Sequence, residues 1–228
     1  MKYFIGMDIG VQNSFRWVVL DQHGTVYSEG KHILVLRKLM DELLADEDNL
    51  IAVGVEAPMW IPLPKIKKTN YEFGPRFYGE EKREWYLDNG GGASIKAISL
   101  LSKIFEGLEY SCTVDKSNWK KEICRVYLFE GFVTGDSKPH FQYNYLMQRN
   151  FFKSKHSVDA YLTALSFYVV DSSKYYLITS ILAYSHNQIN SYNNVDAFIS
   201  IWHMIFHRNN VIIDPKQEYP CNIYSFSF

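Results

Sequence analysis

The chain has no surplus of charge, no cysteine pattern and no long apolar run, and each absence closes a class of function. Its 24 Lys and Arg stand against 25 Asp and Glu, a formal net charge of −1. That excludes a strongly basic, histone-like nucleic-acid binder, although a local basic patch stays open. Cys112, Cys124 and Cys221 form an odd set with no C-x-x-C spacing. Such a set argues against both a disulfide framework and a structural zinc site, and predicts three reduced thiols. No apolar run reaches the roughly 18 residues of a membrane span. The first residues, "MKYFIGMD", meet an acid too early for a signal peptide. A cytoplasmic protein with no membrane partner is the expectation.

What is present is the composition of a folded chain. Of 228 residues, 47% are apolar and 21% charged, enough to bury a substantial core. The expectation is a single domain over 1–228, with a core in 1–172 and a strand or helical extension in 173–228.

Periodicity divides the chain. Three short strand signals, about 2–8, 15–21 and 25–30, are joined by tight turns and predict an antiparallel meander. "KHILVLRKLMDELLADE" then carries Ile33, Leu36, Leu39, Leu43 and Leu44 on one helical face. "LIAVGVEAP" predicts a buried strand from Leu50 to Val55, ended by Glu56 and closed by Pro58. Residues 61–92, rich in Pro, Lys, aromatics and Gly, lack either period and predict a long loop. "GGGASIKAISLLSKIFEGL" opens a helix with Ile95, Ile98, Leu101 and Leu108 inward. "ICRVYLFEGF" is a further strand carrying Glu130, and "KHSVDAYLTALSFYVV" a helix with Val158, Leu162, Leu165 and Val169 on one stripe and Asp159 in its first turn. Beyond Ser172 the signal blurs; "YYLITSILAY" fits strand or helix, and "NNVDAFISIWHMIFH" reads as helix.

An acid stands at the end of several of these elements: Asp8, Glu56 and Glu130 after apolar strand runs, and Asp159 in the opening turn of the late helix. Each has an ordinary explanation. Asp8 before Gly10 suits an Asx turn, Glu56 a solvated strand end, Glu130-Gly131 a surface turn, and Asp159 the positive end of a helix dipole. His156 reads as an exposed loop residue or as a proton shuttle. Asp196 repeats the sequence context of Asp159 and rivals it. Taken together, acids at the ends of successive elements suit a site for hard divalent cations, which take oxygen ligands.

In the order of its elements, and in "GMDIG", "GVEAP", "FEGFVTG" and "KHSVDAY", the chain resembles the ribonuclease H-like superfamily over roughly residues 2–170. Within it the resemblance is to predicted-nuclease families of unknown function, related in core fold to Holliday-junction resolvases and actin-like ATPases. It implies an α/β fold, a mixed sheet made of an antiparallel three-stranded meander plus parallel strands, flanked by helices. It also implies a nuclease that hydrolyses phosphodiester bonds with Mg2+ or Mn2+. Asp8, Glu56, Glu130 and Asp159 would be catalytic, and Asp8, Glu56 and Asp159 would be metal ligands. The partner would be nucleic acid, with a homodimer or a protein partner left open.

Two other classes stay in view. The glycines of "LDNGGGAS", Gly90, Gly91 and Gly92, together with Gly10, suit a phosphate-binding mouth, as in an actin-like ATPase, although the chain is short for two lobes. A metal-free scaffold that binds partners would show acids diverging in space. The basic, aromatic stretches "PLPKIKKTNYEFGPRFYGEEKREW" and "DKSNWKKEICR" would supply either a phosphate track or ordinary solvated surface.

Overall fold

Alternating side chains organise the sheet. The computed structural model describes residues 1–10, 14–57, 60–62, 65–67, 70–72, 89–106, 112–132, 152–172, 185–189, 196–198, 211–212 and 223–227. Strands β1 (Lys2–Asp8), β2 (Arg16–Leu20) and β3 (Val26–Gly30) form the expected antiparallel meander. The turn before β3 is held by the Asp21 carboxylate, which accepts from the amides of His23 at 2.8 Å and Thr25 at 2.9 Å. Gly24 occupies the left-handed region there, at φ 78°, where a side chain is strained.

Helix α1 (Ile33–Leu44) leads to β4 (Leu50–Glu56), which pairs parallel with β1 over its whole length, Lys2 against Leu50 through Asp8 against Glu56. Three short strands follow, β5 (Trp60–Pro62), β6 (Lys65–Lys67) and β7 (Asn70–Glu72), with β6 and β7 antiparallel. The stretch expected to be loop therefore contains short strands. Helix α2 (Asn89–Phe105), β8 (Cys112–Thr113) and β9 (Val126–Phe132) come next, with β9 parallel to β4. Helix α3 spans Lys155–Ser172.

In the last part of the chain lie β10 (Ser185–Ile189), β11 (Asp196–Phe198), β12 (Val211–Ile212) and β13 (Ile223–Ser227). The main sheet runs β10-β13-β9-β4-β1-β2-β3, with β8 also on β9 and β12 on β8. Most of the described C-terminal strands thus continue the central sheet. The helix expected over "NNVDAFISIWHMIFH" is not formed at Asp196–Phe198, which pairs with β5 as a strand; "YYLITSILAY" lies wholly outside the described residues.

Two apolar layers sandwich the sheet. On one face Tyr3, Ile5, Met7, Ile51, Val53, Val55, Val126 and Leu128 pack against Leu36, Met40, Leu43 and Leu44 of α1 and Ala97, Leu101, Ile104 and Phe105 of α2. On the other, Phe4, Val18, Leu20, Ala52, Tyr127 and Phe129 meet α3 through Val158, Ala160, Leu162, Ala164 and Phe167. The expected face of α1 is therefore right, with Met40 added. That of α2 needs a correction, since Ile95 is 68% exposed. The buried row of α2 is Ser94, Ala97, Ile98, Leu101, Ile104 and Phe105. This is the i, i+3, i+4, i+7 spacing of one helical face, and Ile95 falls off it. Leu108 lies outside the described residues, as does the Val169 side chain.

Close approach of α3 depends on glycine. A Cβ on Gly6 would run into the backbone carbonyl of Ala160 and the backbone nitrogen of Ala164. On the neighbouring strands, one at Gly54 would strike the Phe129 ring and crowd the Thr163 methyl, and one at Gly131 would strike that methyl. Small residues at Ala160 and Ala164, four apart on α3, complete the fit. The helix backbone rests directly on the central strand.

Candidate metal centre

Parallel strands β1 and β4 end together, so Asp8 and Glu56 stand side by side at one end of the sheet. Asp8 follows Phe4 and Gly6 in the alternation and therefore lies on the α3 face. Above it α3 begins. Its first turn is capped by Ser154, whose Oγ accepts from the Ser157 amide at 3.1 Å. His156 and Asp159 follow three apart, hence on one side of the helix.

These elements bring Asp8, His156 and Asp159 together, with one potential ligand atom from each lying within 4.8 Å of the others. Asp8 is 7% exposed and so is Asp159. His156 is half-buried. Its Nδ1 lies 2.5 Å from Asp8 Oδ2, across a separation of 148 residues. The other Asp8 oxygen, Oδ1, accepts the Gly10 amide at 3.0 Å. Asp8 therefore does both things open to it, closing an Asx-type turn with one oxygen and presenting the other to α3.

The remaining candidates are distributed as follows. Glu56 is in register with Asp8, partly exposed, and outside the group of three. Glu130 is fully buried, but it pairs with Val55 and continues the alternation of Val126 and Leu128. It therefore points to the face covered by α1 and α2, away from Asp8. Asp196 belongs to the separate β11–β5 ladder, opposite Pro62. The Gly10 amide is engaged by Asp8. Gly90, Gly91 and Gly92 lie within the first turn of α2 rather than in a loop ahead of it, and a Cβ at Gly92 would meet nothing within 4 Å. Close backbone approach does not explain that glycine.

Two further points correct the sequence reading. Helix α3 starts at Lys155, so His156 is helical, and Asp159 is its fifth residue with no acid in the first turn; dipole complementarity accounts poorly for an acid placed there. The basic stretch 115–125 lies at the far end of the sheet, where β9 begins beside Ile51. Three of its four cations have partners there: Lys116 with Asp171 at 3.7 Å, Lys121 with Asp48 at 2.7 Å, and Arg125 with the Leu44 and Asp46 carbonyls at 2.6 and 3.0 Å. A phosphate track leading to Asp8 does not run through it. The other basic stretch falls mostly outside the described residues.

Sequence reasoning named His156 only as a loop residue or proton shuttle, and missed Arg16. His156 enters the cluster itself; its signal was the H-x-x-D spacing on a helix, which puts both side chains on one side. Arg16 stands opposite Asp8 on the antiparallel neighbour β2, with Nη1 donating to the Phe15 carbonyl at 2.7 Å. It sets a cation at the edge where the acids gather.

The residues suit a divalent ion. Opposite ligands on a small divalent ion lie about 4.2 Å apart, twice a bond of about 2.1 Å, so atoms within 4.8 Å need only a small side-chain rotation to share one. Among the described residues no helix is long and apolar enough to cross a membrane. No family model, no curated protein and no solved structure matches the chain.

Proposed function

We propose that the protein is a metal-dependent hydrolase of phosphodiester bonds in nucleic acid, built on a ribonuclease H-like core. The observation that carries this reading is the meeting of Asp8, from the end of the central strand, with His156 and Asp159 from a helix late in the chain. The sheet supports it as well. In the order β3-β2-β1-β4-β9, β2 is antiparallel to its neighbours and β1, β4 and β9 are parallel, which agrees with the meander plus parallel strands that the resemblance implies.

A divalent cation held at such a site neutralises charge on the phosphate and makes water a better nucleophile at neutral pH. The chain's own part is to hold and orient. Asp8 and Asp159 contribute carboxylate oxygens, His156 its Nδ1, and Glu56, beside Asp8, a further carboxylate within reach across one interstrand spacing of about 4.8 Å. Because α3 rests on Gly6, the helix fixes His156 and Asp159 over the strand end without depending on a loop. Rigid placement of this kind is what positions reacting groups.

The test is hydrolysis of labelled single-stranded, duplex and branched DNA and RNA with Mn2+ or Mg2+, using wild type beside Asp8→Asn and Asp159→Asn. Cleavage should fall by more than about 100-fold in either variant, beyond the usual loss for a residue outside the ligand shell. Cleavage that persists in Asp8→Asn, or no cleavage of any substrate by wild type, refutes the reading.

A further inference from the structure

Resting on the reading of this site as a metal centre, we propose that it is built for a first-row transition ion, with Mn2+ preferred to Mg2+, and that His156 Nδ1 is a ligand. Three observations lead there. The imidazole atom nearest Asp8 is Nδ1, 2.5 Å from Oδ2, a hydrogen-bond contact with one proton between the two atoms, so an ion that displaced that proton would meet a nitrogen and a carboxylate oxygen in one small volume. Nδ1 is also among the atoms that lie within 4.8 Å of one another in the cluster. Finally, the two carboxylates are almost wholly buried while His156 is partly exposed, which puts the imidazole on the solvent side, where an ion enters.

The donor set separates the two kinds of ion. Magnesium demands oxygen ligands in near-ideal octahedral geometry and keeps several waters. Imidazole suits first-row transition ions, and affinity for a site with nitrogen rises along that series. Two carboxylates and one imidazole make a mixed set that Mn2+ accepts from both sides, whereas Mg2+ would use only the oxygens. A proton shuttle would require His156 to stay off the metal, and its position within ligand distance of both carboxylates argues against that role.

The test uses metal-stripped full-length protein and Mn2+ as the probe. Binding is followed by electron paramagnetic resonance, Mg2+ is added as competitor, and electron spin-echo modulation reports nitrogen on the bound ion. Circular dichroism checks that each variant is folded. Wild type should bind Mn2+ about 100-fold more tightly than Mg2+ and show nitrogen modulation. His156→Asp should lose the modulation and narrow the preference to less than about tenfold, while still binding Mn2+ because an oxygen ligand remains. If Mn2+ binds wild type without nitrogen modulation, and His156→Asp keeps the preference, the inference fails while the metal reading survives. If Mn2+ does not bind wild type at all, both fail.

Discussion

Ala160 of α3 places its backbone carbonyl oxygen where a Cβ on Gly6 of β1 would have to go. This contact lies two residues before Asp8 on the strand and one residue after Asp159 on the helix. It therefore sets the distance across which the candidate site is assembled.

Gly6→Ala forces the strand and helix apart against backbone that cannot rotate away. The expected cost is about 1–3 kcal/mol, the range for overpacking a filled core, with loss of metal binding beyond the loss of stability. Gly92→Ala is the counterpart: a Cβ there meets nothing within 4 Å, and Ala is a better helix former, so about 0.5 kcal/mol of gain is expected. Urea unfolding of the two variants checks both. Equal midpoints for Gly6→Ala and wild type would remove the account of how α3 is seated.

Divalent metal should raise the melting temperature. Carboxylates brought together in the folded state repel one another, and an ion that binds only that state stabilises it by mass action. Thermal unfolding with and without millimolar-order Mn2+ should show a rise that Asp8→Asn abolishes with little change in its own metal-free melting. An equal rise in wild type and variant would assign the effect to some other site.

Cys112 and Cys124 should be inert in the native protein. Both are fully buried, and burial pushes both thiols up from their ordinary value, so little reactive thiolate exists at neutral pH. Alkylation followed by peptide mass spectrometry should leave both unmodified in buffer and modify both in denaturant. Rapid native labelling of Cys112 would contradict the buried position of β8.

The Asp48–Lys121 ion pair, 2.7 Å apart, has a signed pH dependence. Lys121 holds the Asp48 carboxyl below its usual value, chiefly through their hydrogen bond. The stabilisation is therefore present above the unfolded carboxyl pKa and fades as pH falls through the lowered folded value. The same hydrogen bond raises Lys121, so the contribution fades again as pH rises through the raised ammonium value. The pair is solvent-exposed, so its effect should be small and screened by salt. Melting curves of wild type and Asp48→Asn should differ slightly at neutral pH and low salt, and converge at acid pH or in 1 M salt, where the Debye length is about 3 Å. A gap that persists in high salt would show a role other than charge.

Some of this was legible in the residues because it is local. The short continuous apolar runs "YFIGM" and "LIAVGV" mark buried strands, and the apolar stripe of "ILVLRKLMDELL" reflects side-chain geometry within one helix, whatever surrounds it. The same reading puts Asp8 and Glu56 at strand ends. It misplaces Ile95, because three glycines obscure where the helix face begins.

Convergence of the acids belongs to the tertiary structure. Glu130 closes an apolar run much as Glu56 does, yet its register against Val55 turns it to the opposite face of the sheet. In a strand a one-residue offset reverses every side chain, and only pairing with neighbours settles the offset. Asp159 and Asp196 share a local context, but one lies on a helix packed over Gly6 and the other on a strand beside Pro62. His156 reaches Asp8 because Gly6 and Ala160 permit helix and strand backbones to touch, a distance set by packing between segments far apart in the chain and therefore invisible to any period within either.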